Sequence, residues 1–139
     1  MLQRPALWAI AVVLAVAPAC EMGRRSAAGF RLPPDGDADR GKVAFVKLGC
    51  NQCHDVAGVA VPAHPARLER VIRLGGEVAR EPGDGRLVRS IIWPRPARAD
   101  GLTMPHYADQ MTVRELTDIV SLLQSHYELR RLTPTWTYY

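Results

Sequence analysis

Cys50-Asn51-Gln52-Cys53-His54 places two thiols three residues apart and an imidazole beside the second. Three chemistries use such a pair: a redox dithiol, half of a zinc site, or the covalent anchor of a cofactor. A structural zinc ion takes four Cys or His ligands, commonly from two C-x-x-C pairs. The one further cysteine, Cys20, lies far upstream, and His64, His106 and His126 show no paired spacing. A thioredoxin-like dithiol belongs at the strand–helix junction of a βαβ unit, whereas no segment here alternates like a strand. A structural disulfide between residues three apart would be strained and gives His54 no purpose.

Covalent haem attachment remains, and the spacing suits it. Cysteines three apart at the end of a helix share a face and reach the two vinyl groups of one porphyrin. His54, next in the chain, then offers its imidazole to the iron from the proximal side. A thioether makes a good sixth ligand because it raises the potential relative to two nitrogens. Met104 lies in Gly101-Leu-Thr-Met104-Pro105-His-Tyr107, fifty residues past His54, in a proline-stiffened loop ahead of the last helix. It is the expected distal ligand. Met111, one residue before a helix cap, is expected to pack under that helix, and His106 is the nitrogen alternative.

The elements that must position these groups read as helices. Asp37 or Asp39 can cap a first helix that turns Val43, Val46 and Phe45 inward and runs into Cys50. An irregular stretch, 56–64, precedes a short helix expected from Pro65 to Leu74, stopped by Gly75-Gly76. A third helix begins near Asp84, buries Leu87, Val88, Ile91 and Ile92, and ends at Trp93-Pro94. Thr112 and Glu115 form a capping box for the last helix, whose stripe is Leu116, Ile119, Val120, Leu123 and Tyr127. The expected fold is all-α: four to five short helices around one covalently bound haem, over residues 38–128. Such a domain of 91 residues is too small for a secure core of its own, and a large flat apolar cofactor would fill it.

Around that domain, residues 1–19 read as a secretory signal. Arg4 precedes an apolar run, Ala6 to Ala19, ending in Ala17-Pro18-Ala19. The run is shorter than the roughly 20 residues that a transmembrane helix needs. Cys20 follows a small residue, as in a bacterial lipobox, and is the expected lipidation site; a free thiol is the alternative. Residues 20–37 read as a flexible tether, and 129–139 as a C-terminal tail carrying Trp136, Tyr138 and Tyr139. The expected location is the periplasm, with a membrane tether through Cys20. The formal charge of +4 sits mostly at the ends: residues 38–128 hold twelve Lys/Arg against eleven Asp/Glu. The eight arginines from Arg67 to Arg98 are interleaved with acids and form no basic stripe, which excludes a nucleic-acid partner.

Asp39-Arg-Gly41-Lys-x-x-Phe45, Cys50-x-x-Cys53-His54, Ile91-Ile-x-Pro94, Met104-Pro105 and Glu115-Leu-x-Asp-Ile-Val120 together resemble a class I c-type cytochrome domain. The resemblance covers about two thirds of the chain. It implies haem c bound through Cys50 and Cys53, His54 and Met104 on the iron, and redox partner proteins such as a dehydrogenase or an oxidase. It also implies a close crossing of the first and last helices at Gly41 with Phe45 packed there, though Leu122 stands where the family often has an aromatic residue. A proline carbonyl, of Pro62 or Pro65, would orient His54. Trp93, Arg95 or Arg98 would meet the haem propionates. A single-electron carrier is therefore expected, not an enzyme. The alternative is a haem-based gas sensor or small catalytic haem subunit, which needs an open sixth position.

Overall fold

The computed structural model describes residues 29–95 and 103–130. The signal, Cys20, Arg98 and the aromatic tail lie outside the described residues. Three α-helices carry the described part. They are α1 (Ala38–Lys47), α2 (Asp84–Ile92) and α3 (Val113–Ser125), with one 3-10 turn at Cys50–Gln52.

α1 starts at Asp37, whose side chain accepts a 2.7 Å hydrogen bond from the Arg40 N–H. It stops at Leu48-Gly49, where Gly49 takes φ +73, a conformation that costs glycine no Cβ clash and turns the chain into Cys50. The buried face is Gly41, Ala44 and Phe45. Val43 was expected inside and is instead 69 % exposed, with Val46 only partly buried. The cause is Gly41: its bare Cα lets α1 cross α3 so closely that a Cβ there would lie 2.1 Å from the Asp118 carbonyl oxygen. That contact sets the rotation of α1, and Val43 falls outside it.

α3 has the capping box: Glu115 N–H donates to Thr112 Oγ1 at 3.1 Å, and Thr112 N–H donates to Glu115 Oε2 at 2.8 Å. Its burial is wider than one stripe. Leu116, Ile119, Val120 and Leu123 are joined by Thr117, Asp118, Leu122 and Gln124, because α1 packs on one side and a cavity lies on another. Leu122 takes its place opposite Gly41. Asp118 is buried and accepts from Arg40 Nε at 2.9 Å, Arg40 Nη2 at 2.8 Å and the Asp37 N–H at 2.8 Å. The Arg40 hydrogen bonds hold its carboxyl below the usual range, against the opposing effect of burial. α2 buries Leu87 and Ile91 and ends at Trp93, as the following proline demands.

The fold is not purely helical. Two pairs of three-residue parallel strands tie the connections down: β1 (His54–Val56) with β2 (Ile72–Leu74), and β3 (Gly76–Val78) with β4 (Tyr127–Leu129). The helix expected over 65–74 does not form. The Leu68 N–H donates to Gln52 O and the Ile72 N–H to Cys53 O, so this backbone bonds to the C-x-x-C-H segment instead of to itself. Arg67 reinforces the pairing with a 2.7 Å ion pair to Asp55.

Both domain edges reach further than expected. Residues 32–37 were assigned to the tether, yet Leu32 N–H donates to Asp84 Oδ2 at 2.9 Å. Ser121 Oγ donates to the Gly36 carbonyl, and Asp35 pairs with Arg114 at 2.6 Å. At the other end the tail begins only after β4, since the Arg130 N–H still donates to Val78 O.

Candidate functional site

A cavity of about 380 Å³ opens between α1, α2, α3 and the strands. Phe45, Leu74, Val78, Leu87, Ile91, Ile119 and Leu123 make most of its wall apolar, and Cys50, His54 and Met104 all line it. That volume falls in the usual range for ligand pockets, roughly 300–1,000 Å³.

The strand register orients His54. β1 pairs His54 with Ile72, and the His54 Nδ1 lies 3.3 Å from the Ile72 carbonyl oxygen. A histidine that gives its Nδ1–H to a carbonyl keeps Nε2 free for a metal. Neither proline takes this part: the Pro62 carbonyl accepts from Asn51 Nδ2 at 2.9 Å, and the Nδ1 partner is Ile72. Burial pushes the His54 pKa down and so favours the neutral imidazole that a metal requires, while the Ile72 hydrogen bond works in the opposite direction. Burial pushes the Cys50 thiol up to about 11. Cys50 and Cys53 are both free thiols, so neither is consumed by a disulfide.

The chain from Thr103 to Met111 carries Met104 to the cavity. Tyr107, three residues on, is buried and donates from its hydroxyl to the Leu48 carbonyl at 3.2 Å. The loop that brings Met104 is thus tied to the end of α1, two residues before Cys50. Met111 packs against the core, as expected. His106 is exposed and stands edge-on to Trp93, ring centroids 6.5 Å apart; neither lines the cavity. Among the described residues no three His, Cys, Asp or Glu side chains converge as a metal cluster.

The family model described as Cytochrome c matches residues 38–126. The chain belongs to the cytochrome c family. No curated protein and no solved structure matches it. Cytochromes c are haem-binding electron-transfer proteins with covalently bound haem c, and the donor set of this cytochrome fits that group: the Cys50 thiol, the His54 imidazole and the Met104 thioether line one apolar cavity, while Cys53, a free thiol next to His54 in the chain, is not part of its lining.

Sequence reasoning missed Tyr107, whose partner is 59 residues away; Arg80 and Arg86 border the cavity and are exposed, as the solvated-surface reading of their segment expects.

Proposed function

We propose that this cytochrome is a monohaem electron carrier of the periplasm, with haem held by Cys50 and Cys53 and ligated by His54 and Met104. The observation that carries the reading is the convergence of Cys50, His54 and Met104 on one apolar cavity. Bound haem supplies a one-electron couple; the protein's part is to hold its ligands and exclude water. His54 is oriented by the Ile72 carbonyl, and Met104 is positioned by a loop anchored through Tyr107. The apolar wall and a thioether ligand both favour the reduced state. With His54 and Met104 both holding the iron, no position would remain for a substrate, which favours a shuttle over an enzyme. Export through residues 1–19 and attachment through Cys20 agree with haem c chemistry outside the cytoplasm. The partners on this reading are a dehydrogenase that donates electrons and an oxidase that accepts them, met through small, brief interfaces.

The test is to express the chain with its own signal in a haem-maturing bacterial host and record oxidised and reduced spectra. Covalently retained haem, a sharp reduced α band and the weak red band of sulfur-ligated ferric iron are expected. Met104→Ala should abolish the red band and lower the potential, and Cys53→Ala should mature poorly. A high-spin wild-type spectrum would refute the shuttle and favour a sensor or catalyst. Fractionation of Cys20→Ser against wild type tests the anchor: the variant should leave the membrane fraction.

A further inference from the structure

The pairing that brings a carbonyl to His54 is held by little backbone. β1 and β2 are three residues each, run parallel, and are joined by no third strand among the described residues. Such a pair is marginal on its own. Ile72 and Arg73 of β2 are exposed, so packing adds little there. The distance from His54 Nδ1 to the Ile72 carbonyl, 3.3 Å, already stands at the long end for a hydrogen bond, and a small shift of β2 would lose it. A side chain must help to hold the register.

Arg67 is placed to do so. From the stretch before β2 its guanidinium reaches back to the C-x-x-C-H turn. Nη1 donates to the Asn51 carbonyl at 3.4 Å, two residues before Cys53, and Nη2 donates to Asp55 Oδ2 at 2.7 Å, the residue after His54. One side chain thus grips the chain on both sides of Cys53-His54. Both ends of the grip are themselves fixed. Asn51 is fully buried and its Nδ2 donates to the Pro62 carbonyl at 2.9 Å, and the Leu68 N–H, next to Arg67, donates to Gln52 O at 3.0 Å. The Arg67 and Asp55 side chains are 30 % and 39 % exposed, so water screens their pair only in part. A planar guanidinium holds two acceptors in set directions, which a lysine ammonium does not.

We infer that Arg67 is a positioning residue for the proximal ligand: paired with Asp55, it holds β2 in the register that keeps the Ile72 carbonyl on His54 Nδ1. The inference rests on the haem reading above. A hydrogen bond accepted from Nδ1–H makes the imidazole a stronger donor and so favours ferric iron. Loosening the brace should therefore raise the midpoint potential. Charge by itself acts differently. Loss of the Arg67 cation would lower the potential, loss of the Asp55 anion would raise it, and loss of both would nearly cancel.

Wild type, the double variant Asp55→Asn/Arg67→Met, Arg67→Lys and Arg73→Gln would be matured with haem. The double variant removes one charge of each sign. Arg73, the register partner of Asp55, is exposed on β2 and makes neither of the Arg67 bonds, so its variant measures a change of charge alone. In the double variant the His54 Nδ1–H of the reduced protein, followed by proton NMR in deuterated buffer, should exchange about fivefold faster, as the loss of a half-exposed ion pair allows. The ratio of reduced to oxidised protein at a fixed potential should rise about threefold, which is about 28 mV for a one-electron couple. That is a fraction of the tenfold or more that full removal of a ligand's outer partner brings. Arg67→Lys keeps the ion pair and gives up the Asn51 bond, so it should fall between wild type and the double variant in both measurements. Should the double variant fail to accumulate, Arg67→Lys carries the same signs at smaller size. Covalent haem with exchange as in wild type, or faster exchange at an unchanged potential, would overturn the role of Arg67 and leave the electron-carrier reading intact. An equal rise in Arg73→Gln would do the same. Wild type without covalent haem would overturn both.

Discussion

Gly41→Ala tests the contact on which the whole arrangement turns. In the middle of an exposed helix this change would gain up to about 1 kcal/mol of propensity. At position 41 the new Cβ would stand 2.1 Å from the Asp118 carbonyl oxygen, 2.6 Å from its carbonyl carbon and 3.0 Å from Leu122 Cβ. An ordinary carbon–oxygen approach is about 3.3 Å, so α1 and α3 must part by about 1 Å. The obstacle is backbone, not the end of a flexible side chain, and no rotamer change relieves it. Overpacking of this kind costs roughly 1–3 kcal/mol, and a backbone clash belongs at the upper end or beyond. Set against the propensity gain, the net loss is about 2 kcal/mol or more, a fall in Tm of about 8–16 °C for a domain of this size. The separation also stretches the Arg40–Asp118 hydrogen bonds and draws Phe45 away from the cavity wall it shares with Ile119 and Leu123. The assay is thermal unfolding of the haem-loaded protein, followed by far-UV circular dichroism and by the Soret band. Gly85→Ala is the control: its Cβ would meet only Phe30, at 3.4 Å, so the same substitution in α2 should be neutral or slightly stabilising. A Tm for Gly41→Ala equal to or above wild type would refute the close crossing.

Tyr107→Phe removes the hydrogen bond from the Met104 loop to the Leu48 carbonyl, worth about 1 kcal/mol net. Haem content should be unchanged while the sulfur-ligation band weakens and added imidazole displaces Met104 about fivefold more readily; an unaltered imidazole titration would count against the tie. Glu115 is held at a pKa of about 2, against 4.5 when unfolded, chiefly by Lys47 at 2.6 Å and then by Thr112. As pH falls through that window the unfolded chain takes up the proton first, so the stabilisation present above about 4.5 is lost toward about 2. Lys47→Met should flatten that part of the stability curve in denaturant titrations, and parallel curves for variant and wild type would refute the assignment.

What could be read in the sequence was what is decided within a few residues. The Thr112–Glu115 box, the Asp37 cap and the stop of α2 before Pro94 all depend on near neighbours, and each stands at or within a residue of its expected position. Helix phase was a different matter. The apolar pattern of 43–46 allows two faces of α1, and the choice falls to Gly41 and Asp118, far apart in the chain. The strands were illegible for a related reason. A three-residue strand has no alternation to detect, and β2 is defined by its partner: Ile72–Leu74 is extended because the Cys53 carbonyl accepts from Ile72 and the Leu74 carbonyl accepts from Ala57.

The illegible contacts are the ones that build the site. The register of β1 on β2 puts the Ile72 carbonyl beside His54, a role assigned by resemblance to a proline. The bond from Tyr107 to Leu48 joins the loop that carries Met104 to the end of α1, and β3 on β4 brings Val78 and Tyr127 into one cavity wall. Sequence spacing therefore names the groups that can hold a haem, whereas long-range backbone pairing decides which carbonyl stands beside them. The resemblance gave the family and did not give the carbonyl beside His54. Supports of this kind can be supplied by any carbonyl or guanidinium that the chain brings within reach, so spacing along the sequence does not identify them.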